Sequence, residues 1–119
     1  MKLEKKRIIY VDLDGTLCDN KELPDFSDSA TDYKKAVPHK SRISVINQLF
    51  DEGHEINIWT ARGALSGIDH TELTKQQLLD WGIKHTTCQV GNKPHFDMYI
   101  CDKSFNSETY FHHKERQLP

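Results

Sequence analysis

Short runs of β-branched and aromatic residues alternate along this chain with segments of helical periodicity. The predicted strands are residues 8–11, 55–60, 86–91 and 97–101. The predicted helices are residues 41–52 and about 70–81, with a short helix after Ser104. Strands that alternate with helices favour an α/β fold. Right-handed crossovers then predict a doubly wound, Rossmann-like parallel sheet with helices on both faces.

The first predicted strand, IIYV at 8–11, is consecutively apolar. Such a run is typical of a strand that is covered on both faces in a parallel sheet. The first helix stops at Gly53, and the second begins at an Asp69/Thr71 cap and stops at Gly82. The apolar stripe of the first helix consists of Ile43, Ile46, Leu49 and Phe50.

With 119 residues, the chain is long enough for one core, and residues 1–119 are predicted to form a single domain. It has 16 Lys and Arg against 18 Asp and Glu, and this near balance argues against a broad nucleic-acid-binding face. No apolar stretch has the length of a membrane span or of a signal-peptide core. Three cysteines without CxxC spacing fit reduced thiols, so a cytoplasmic protein without membrane contact is expected.

Residues 17–40, here called the flap, form the longest stretch without periodicity. The stretch is polar and contains both Pro24 and Pro38. A loop of this length in so small a domain is either a functional lid or a mobile connection. The sequence leaves both interpretations open.

Five polar residues fall at or near the carboxyl ends of the predicted strands. They are Asp12, Asp14, Thr60, Lys93 and Asp102. Ligands of open parallel sheets bind at this edge. Three carboxylates close together repel one another unless a cation shares the site, and Mg²⁺ suits one or two carboxylates, several waters and a substrate phosphate. The sequence therefore predicts a magnesium site at which a lysine and a threonine help to hold an anion.

These residue types suggest phosphoryl transfer through an aspartate. A carboxylate is a weak nucleophile, but Mg²⁺ and Lys93 would neutralise charge on the phosphoryl oxygens and hold the group in line. The second carboxylate, Asp14, would face the leaving group. There it would protonate the departing oxygen and later deprotonate the attacking water.

The same residues carry a family resemblance. DLDGT after an apolar strand, a threonine that ends the next strand, NKP and a later acid together resemble the haloacid-dehalogenase-like (HAD) superfamily of phosphohydrolases. The longer runs IWTARG, LTKQQLLDWG and KPHFDMYICDKS resemble a small branch of it, the capsule-biosynthesis phosphatase-like proteins. The resemblance covers about residues 7–104.

The resemblance implies a role for each motif residue. Asp12 would be the nucleophile that forms an aspartyl-phosphate, and Asp14 would be the general acid and base. Thr60 would hydrogen-bond the phosphoryl group, and Lys93 would stabilise the nucleophile and the transferring charge. The implied Mg²⁺ ligands are Asp12, Asp14 (through its backbone carbonyl) and Asp102.

The residues that follow Thr60 extend the predicted substrate site. Arg62 lies close enough in sequence to reach a substrate anion, although a surface arginine is the alternative. The predicted substrate-binding residues are Thr60, Ala61, Arg62 and Lys93.

Two features depart from the commonest family pattern. The family usually ends its last strand with two adjacent acids, but Cys101 takes the first position here, so weaker Mg²⁺ binding or lower activity is expected. No segment is long enough to be an inserted cap domain. An open site is therefore expected, which suits either a large substrate or closure by another subunit of a homo-oligomer.

The sequence thus predicts a cytoplasmic, Mg²⁺-dependent hydrolase that acts on a phosphomonoester, such as a sugar phosphate or another biosynthetic intermediate. One alternative is a receiver-like module, but NIWTARG at mid-chain offers no acid for phosphorylation. Another is a degenerate family member that binds a phosphorylated ligand without efficient turnover. A nucleic-acid 3′-phosphatase is the last alternative, and the lack of a basic stripe argues against it.

Overall fold

The computed structural model describes residues 5–20 and 28–112. The chain folds into a small α/β structure with a parallel three-stranded sheet and a separate antiparallel pair of short strands. The strands are β1 (Ile8–Val11), β2 (Cys18–Asp19), β3 (Val37–Pro38), β4 (Glu55–Thr60) and β5 (Thr87–Val90). The helices are α1 (Ala30–Tyr33), α2 (Lys40–Asp51), α3 (Thr71–Asp80) and α4 (Ser107–His112).

The main sheet has the strand order β1-β4-β5, with all strands parallel. Val11 of β1 lies opposite Ile58 of β4, and Thr60 of β4 lies opposite Val90 of β5. The carboxyl ends of all three strands therefore meet at one edge of the sheet. The connection from β1 to β4 includes α2, and the connection from β4 to β5 includes α3. Helical crossovers of this kind account for the parallel pairing.

The hydrophobic core lies between the central strand and the helices. Ile56 and Ile58 of β4 are fully buried, and they belong to one cluster with the apolar residues of α2 and with Leu78 of α3. The predicted stripe of α2 is confirmed: Ile43, Ile46 and Leu49 are buried, and Phe50 packs against the cluster. Burial of a large aliphatic side chain contributes about 1.5–3 kcal/mol, so this cluster fixes α2 against the sheet.

Predicted element bounds agree with the structure to within a residue or two at α2, β4, α3 and β5, and at β1 they coincide. The predicted short helix after Ser104 is confirmed as α4. The cap of α3 differs from the prediction, because the N-cap residue is His70 and makes no side-chain cap bond. Asp69 still accepts a hydrogen bond from the backbone N–H of Thr71, over 2.9 Å.

Two strand predictions are wrong. Strand β1 is not covered on both faces, since Ile8 and Tyr10 are 68% and 55% exposed. In the described part of the chain β1 pairs with β4 alone and is an edge strand. The stretch 97–101 is not a strand, and Met98 and Ile100 on it are exposed. Apolar composition marks a candidate strand, but a strand also needs a neighbouring backbone to pair with.

The flap contains short regular elements that the sequence did not reveal. Strands β2 and β3 pair near its two ends, with Cys18 opposite Pro38. Helix α1 lies between them, and its N-cap is Ser29, whose hydroxyl accepts a hydrogen bond from the backbone N–H of Asp32. Residues 21–27 of the flap, including Pro24, lie outside the described part. No helix in residues 5–20 and 28–112 is long and apolar enough to cross a membrane.

Candidate active site

The turn after β1 presents the two aspartates of DLDGT. Leu13, between them, is fully buried and anchors the turn in the core. Its carbonyl accepts hydrogen bonds from the backbone of Thr16 and Leu17. Gly15 has φ = 78°, a left-handed conformation that glycine adopts without strain. With Leu13 directed inward, Asp12 and Asp14 are left at the sheet edge.

The carboxylate of Asp12 pairs with a lysine from the far end of the sheet. Nζ of Lys93 donates to Oδ1 of Asp12 over 3.1 Å, and the hydroxyl of Thr16 donates to Oδ2 over 3.3 Å. The Asp12 side chain is 42% exposed, whereas that of Lys93 is 15% exposed. The Lys93 ammonium also lies 5.6 Å from the ring centres of both Trp59 and Phe96. Asp12 is therefore accessible and has a fixed positive charge beside it.

Asp14 has a more enclosed environment than Asp12. Its two oxygens accept from Nε and Nη2 of Arg62 over 2.9 and 2.8 Å. Oδ1 also accepts from the amide of Asn20 (2.8 Å) and the thiol of Cys18 (3.4 Å). Burial by itself would raise the pKa of Asp14, but the hydrogen bonds and charge of Arg62, together with the hydrogen bonds from Asn20 and Cys18, outweigh it and hold that pKa below its ordinary value. Asp14 is thus an ionised carboxylate in an ion pair.

Thr60 ends β4 and lies against Asp14. It is buried, and its hydroxyl donates to Oδ2 of Asp14 over 3.4 Å and accepts from the backbone N–H of Arg62 over 3.3 Å. Ala61 follows at the start of the loop, where its carbonyl accepts from the backbone of Ala64. The structure therefore brings Thr60 to the same edge as the two aspartates.

Arg62 is not at the surface. Its side chain is 0% exposed. Besides the bonds to Asp14, Nη1 donates to Thr74 and Gln77 of α3, and the guanidinium lies 4.4 Å from the ring centre of Tyr33. These contacts hold Arg62 toward the protein interior, so a substrate anion would have to displace existing partners in order to bind it.

Asp102 stands apart from the other predicted ligands. It lies in an irregular, exposed segment, where the thiol of Cys101 contacts its carboxylate at 3.9 Å. Residues 5–20 and 28–112 contain no group of three or more His, Cys, Asp or Glu side chains that could hold a metal ion. The structure thus assembles Asp12, Asp14, Thr60, Arg62 and Lys93, but it does not add Asp102 to them.

Two solved structures of other proteins resemble the structure of this chain. No protein-family model and no curated protein matches the chain. A crystal structure of a structural-genomics target from Vibrio cholerae superimposes with a TM-score of 0.70 at 22% identity, covering 88% of this chain and 87% of that one. A chain of a Pnkp1/Rnl/Hen1 complex superimposes with a TM-score of 0.58 at 15% identity, covering 95% of this chain but 36% of that one. These likenesses show the fold alone, a small α/β domain.

Asp28 of the flap is a site residue that the sequence analysis missed. It accepts from the hydroxyl of Tyr33 and the backbone N–H groups of Gly63 and Ser66 over 2.7–3.0 Å. Burial alone would raise the pKa of Asp28, but these donors lower it to about 2. Asp28 therefore ties the flap to the loop after β4. No local signal marks it, since one acid among several in a polar stretch is unremarkable in sequence.

Thr74 and Gln77 of α3 were missed as well. Both are buried polar residues on a helix face that otherwise packs on the core. Their spacing of three residues places them on one side of α3. A polar pair on the buried side of a helix is a detectable signal, because buried polar side chains need partners. The shared partner of Thr74 and Gln77, which is Arg62, could be found only in the folded structure.

Proposed function

We propose that this protein is a phosphomonoester hydrolase of the HAD type that acts through an aspartyl-phosphate on Asp12. The observation that carries the proposal is the accessible carboxylate of Asp12 at the end of β1, 3.1 Å from the ammonium of Lys93. An accessible carboxylate beside a fixed cation suits attack on an anionic phosphorus centre, because the cation offsets the repulsion between the two anions.

The residues that surround Asp12 support the following sequence of events. An oxygen of Asp12 attacks phosphorus, and the bond between phosphorus and the leaving-group oxygen breaks. Asp14 first takes up a proton from solvent and passes it to that oxygen, and the carboxylate this leaves later removes a proton from the water that hydrolyses the aspartyl-phosphate. Lys93 stabilises negative charge on the transferring group, and Thr60 hydrogen-bonds it. The products are the alcohol and inorganic phosphate.

Mg²⁺ is part of this proposal. Carboxylate and carbonyl oxygens suit this hard cation, which binds one or two carboxylates and keeps several waters. Asp12 supplies an accessible carboxylate, whereas the carboxylate oxygens of Asp14 are already bonded to Arg62 and Asn20. The backbone carbonyl of Asp14 is then its proposed ligand atom, with Asp102 as a third candidate. When bound, Mg²⁺ would neutralise charge on the phosphoryl oxygens.

The proposed fold is a doubly wound, HAD-like domain without an inserted cap. The parallel sheet, the helical crossovers and the likeness to the Vibrio cholerae protein support it. The proposed substrate is a small phosphorylated molecule such as a sugar phosphate, bound in an open site that a second subunit would cover in a homo-oligomer. We propose a cytoplasmic location and no role for nucleic acid or membranes.

Phosphate release from p-nitrophenyl phosphate and a panel of sugar phosphates tests the function. The assay compares the wild type with Asp12→Asn, in Mg²⁺ and in EDTA, and Asp80→Asn, which changes an exposed carboxylate on α3, serves as the control. Release that requires Mg²⁺ and is lost in Asp12→Asn alone is the expected result. Equal release by the wild type and Asp12→Asn would contradict the assignment of the nucleophile.

A second candidate function is a module that binds a phosphorylated ligand without efficient turnover. The ion pair between Asp14 and Arg62 favours this alternative, since an ionised carboxylate in a salt bridge does not readily donate a proton. Mass spectrometry after incubation with acetyl phosphate and Mg²⁺ distinguishes the two functions. A stable adduct of one phosphoryl group on Asp12 favours the binding module, whereas rapid loss of the adduct with release of phosphate favours the hydrolase.

A further inference from the structure

The guanidinium of Arg62, which the sequence places in the substrate site, donates four hydrogen bonds to other side chains. We propose instead that Arg62 is a positioning residue, which orients the carboxylate of Asp14 and is itself held in place by α3 and the flap. The inference rests on the proposed hydrolase function. It assigns a role to Tyr33, Thr74 and Gln77, none of which the sequence predicts as a site residue.

The contact between Arg62 and Asp14 fixes an orientation as well as a distance. Nε and Nη2 donate to different oxygens of the carboxylate, over 2.9 and 2.8 Å. Two parallel hydrogen bonds of this kind hold the carboxylate and guanidinium in one plane. The plane of the Asp14 carboxylate therefore follows the plane of Arg62.

The other side of the guanidinium is held by α3. Nη1 donates to the hydroxyl of Thr74, over 3.2 Å, and to the side-chain carbonyl of Gln77. Thr74 and Gln77 are 0% and 7% exposed, so water does not compete strongly for these bonds. An arginine whose only role is to bind a substrate anion does not require two buried acceptors on a neighbouring helix.

The flap completes this environment through Tyr33. The ring of Tyr33 lies 4.4 Å from the guanidinium carbon of Arg62, and its carbonyl accepts from the side-chain amide of Gln77 over 2.8 Å. Gln77 thus bridges Arg62 and the flap. The described part of the flap has a second role besides any contact with substrate: it packs behind Arg62 and keeps Asp14 in position.

Steady-state kinetics separates positioning from substrate binding. Replacing a residue that contacts the substrate anion raises KM, whereas replacing a residue that only orients the carboxylate of Asp14 lowers kcat and leaves KM near its wild-type value. The variants are Arg62→Lys, Gln77→Met and Gln76→Met. Gln76 is the matched control, because it lies on the exposed side of α3 and bonds to Asp80.

The expected result is a graded loss of kcat on p-nitrophenyl phosphate. Arg62→Lys lowers kcat by about 100-fold, because lysine cannot make the planar two-bond contact. Gln77→Met substitutes neither Arg62 nor Asp14 but removes one acceptor of Arg62, and it lowers kcat by about 10-fold. KM stays within about twofold in both variants, and Gln76→Met matches the wild type. Thermal melting confirms that each variant is folded at the assay temperature.

Tyr33 tests the contribution of the flap. Tyr33→Phe keeps a ring over Arg62 but loses the hydroxyl bond to Asp28, whereas Tyr33→Leu loses both. If the ring holds Arg62, Tyr33→Leu lowers kcat several-fold more than Tyr33→Phe does. Equal values of kcat in the two variants would contradict a role for the flap in positioning Arg62.

Three outcomes would overturn the inference. One is a rise in KM for Arg62→Lys with kcat unchanged, which would make Arg62 a substrate ligand. Another is a wild-type kcat in both Arg62→Lys and Gln77→Met while the wild type hydrolyses the ester, which would contradict the inference but not the proposed function. The third is no hydrolysis by the wild type itself, which would contradict the proposed function and remove the basis of the inference.

Discussion

Nζ of Lys93 lies 3.1 Å from Oδ1 of Asp12, although 81 residues separate the two in sequence. The contact joins the carboxyl end of β1 to the loop after β5, across the whole width of the parallel sheet. Nζ of Lys93 also lies 5.6 Å from the ring centres of both Trp59 and Phe96. The Lys93 side chain is 15% exposed, and limited access of water strengthens the attraction of the ammonium to Asp12 and to any anion that binds there.

Replacement of Lys93 by methionine should remove most activity and leave the fold intact. Methionine keeps much of the apolar stem of lysine but lacks the charge. We expect kcat/KM to fall by about 100- to 1,000-fold, as for other groups that stabilise transferring charge. The melting temperature should change little, since the Asp12 carboxylate is partly exposed and remains solvated. Lys75→Met on the exposed side of α3 is the control, and equal activity in both variants would refute a catalytic role for Lys93.

Metal dependence tests the proposed role of Asp102. EDTA should abolish phosphate release, and added Mg²⁺ should restore it. If Asp102 is a ligand, Asp102→Asn should raise the Mg²⁺ concentration that gives half-maximal activity by at least about 10-fold. Asp97→Asn, a nearby change in the same exposed segment, is the control. An unchanged Mg²⁺ requirement in Asp102→Asn would contradict a role for Asp102 as a metal ligand.

Acid should weaken the attachment of the flap through Asp28. The pKa of Asp28 is about 2 in the folded protein, below its ordinary value of 3.8. A lowered folded pKa contributes stability above the unfolded pKa, and this stability is lost as pH falls from about 4 toward 2. At pH 6 we expect the free energy of unfolding of the wild type to be about 1–2 kcal/mol higher than that of Asp28→Asn.

Urea unfolding between pH 6 and pH 2.5 measures this difference. The gap between the wild type and Asp28→Asn should narrow as the carboxyl group becomes protonated. Asp80→Asn, which changes an exposed carboxylate on α3, controls for the loss of one negative charge. A gap that stays constant across this pH range would mean that the charge of Asp28 does not hold the flap.

Gly63 and Gly67 form a matched pair for testing the loop after β4. Both have positive φ, 90° and 75°, so alanine is strained at either position. An added Cβ at Gly67 meets nothing within 4 Å, whereas at Gly63 it would collide with the carbonyl of Ile68. Gly67→Ala should cost about 1 kcal/mol of stability. Gly63→Ala should cost about 3 kcal/mol, measured by urea unfolding, since it adds a backbone collision to the strain. Equal costs in the two variants would contradict the close approach of Gly63 to Ile68.

Local pattern was sufficient to predict most of the regular elements. The stripe of Ile43, Ile46 and Leu49 predicted α2, because a 3.6-residue repeat of apolar residues has one stable arrangement against a core. The β-branched run at 55–60 predicted β4. The stretch 97–101 has a similar composition and is not a strand. Local pattern describes side chains, whereas a strand also depends on whether another segment supplies backbone partners.

The sequence by itself determined the positions of three residues at the edge of the sheet. Asp12, Asp14 and Thr60 are found there because each follows or ends a strand in a parallel arrangement, and that is readable from apolar runs and their ends. Only the tertiary structure decided what each of them contacts. It buried Arg62 against Asp14, Thr74 and Gln77, and it left Asp102 exposed. Partners from distant segments depend on how helices and loops pack, and no single segment of sequence contains that information.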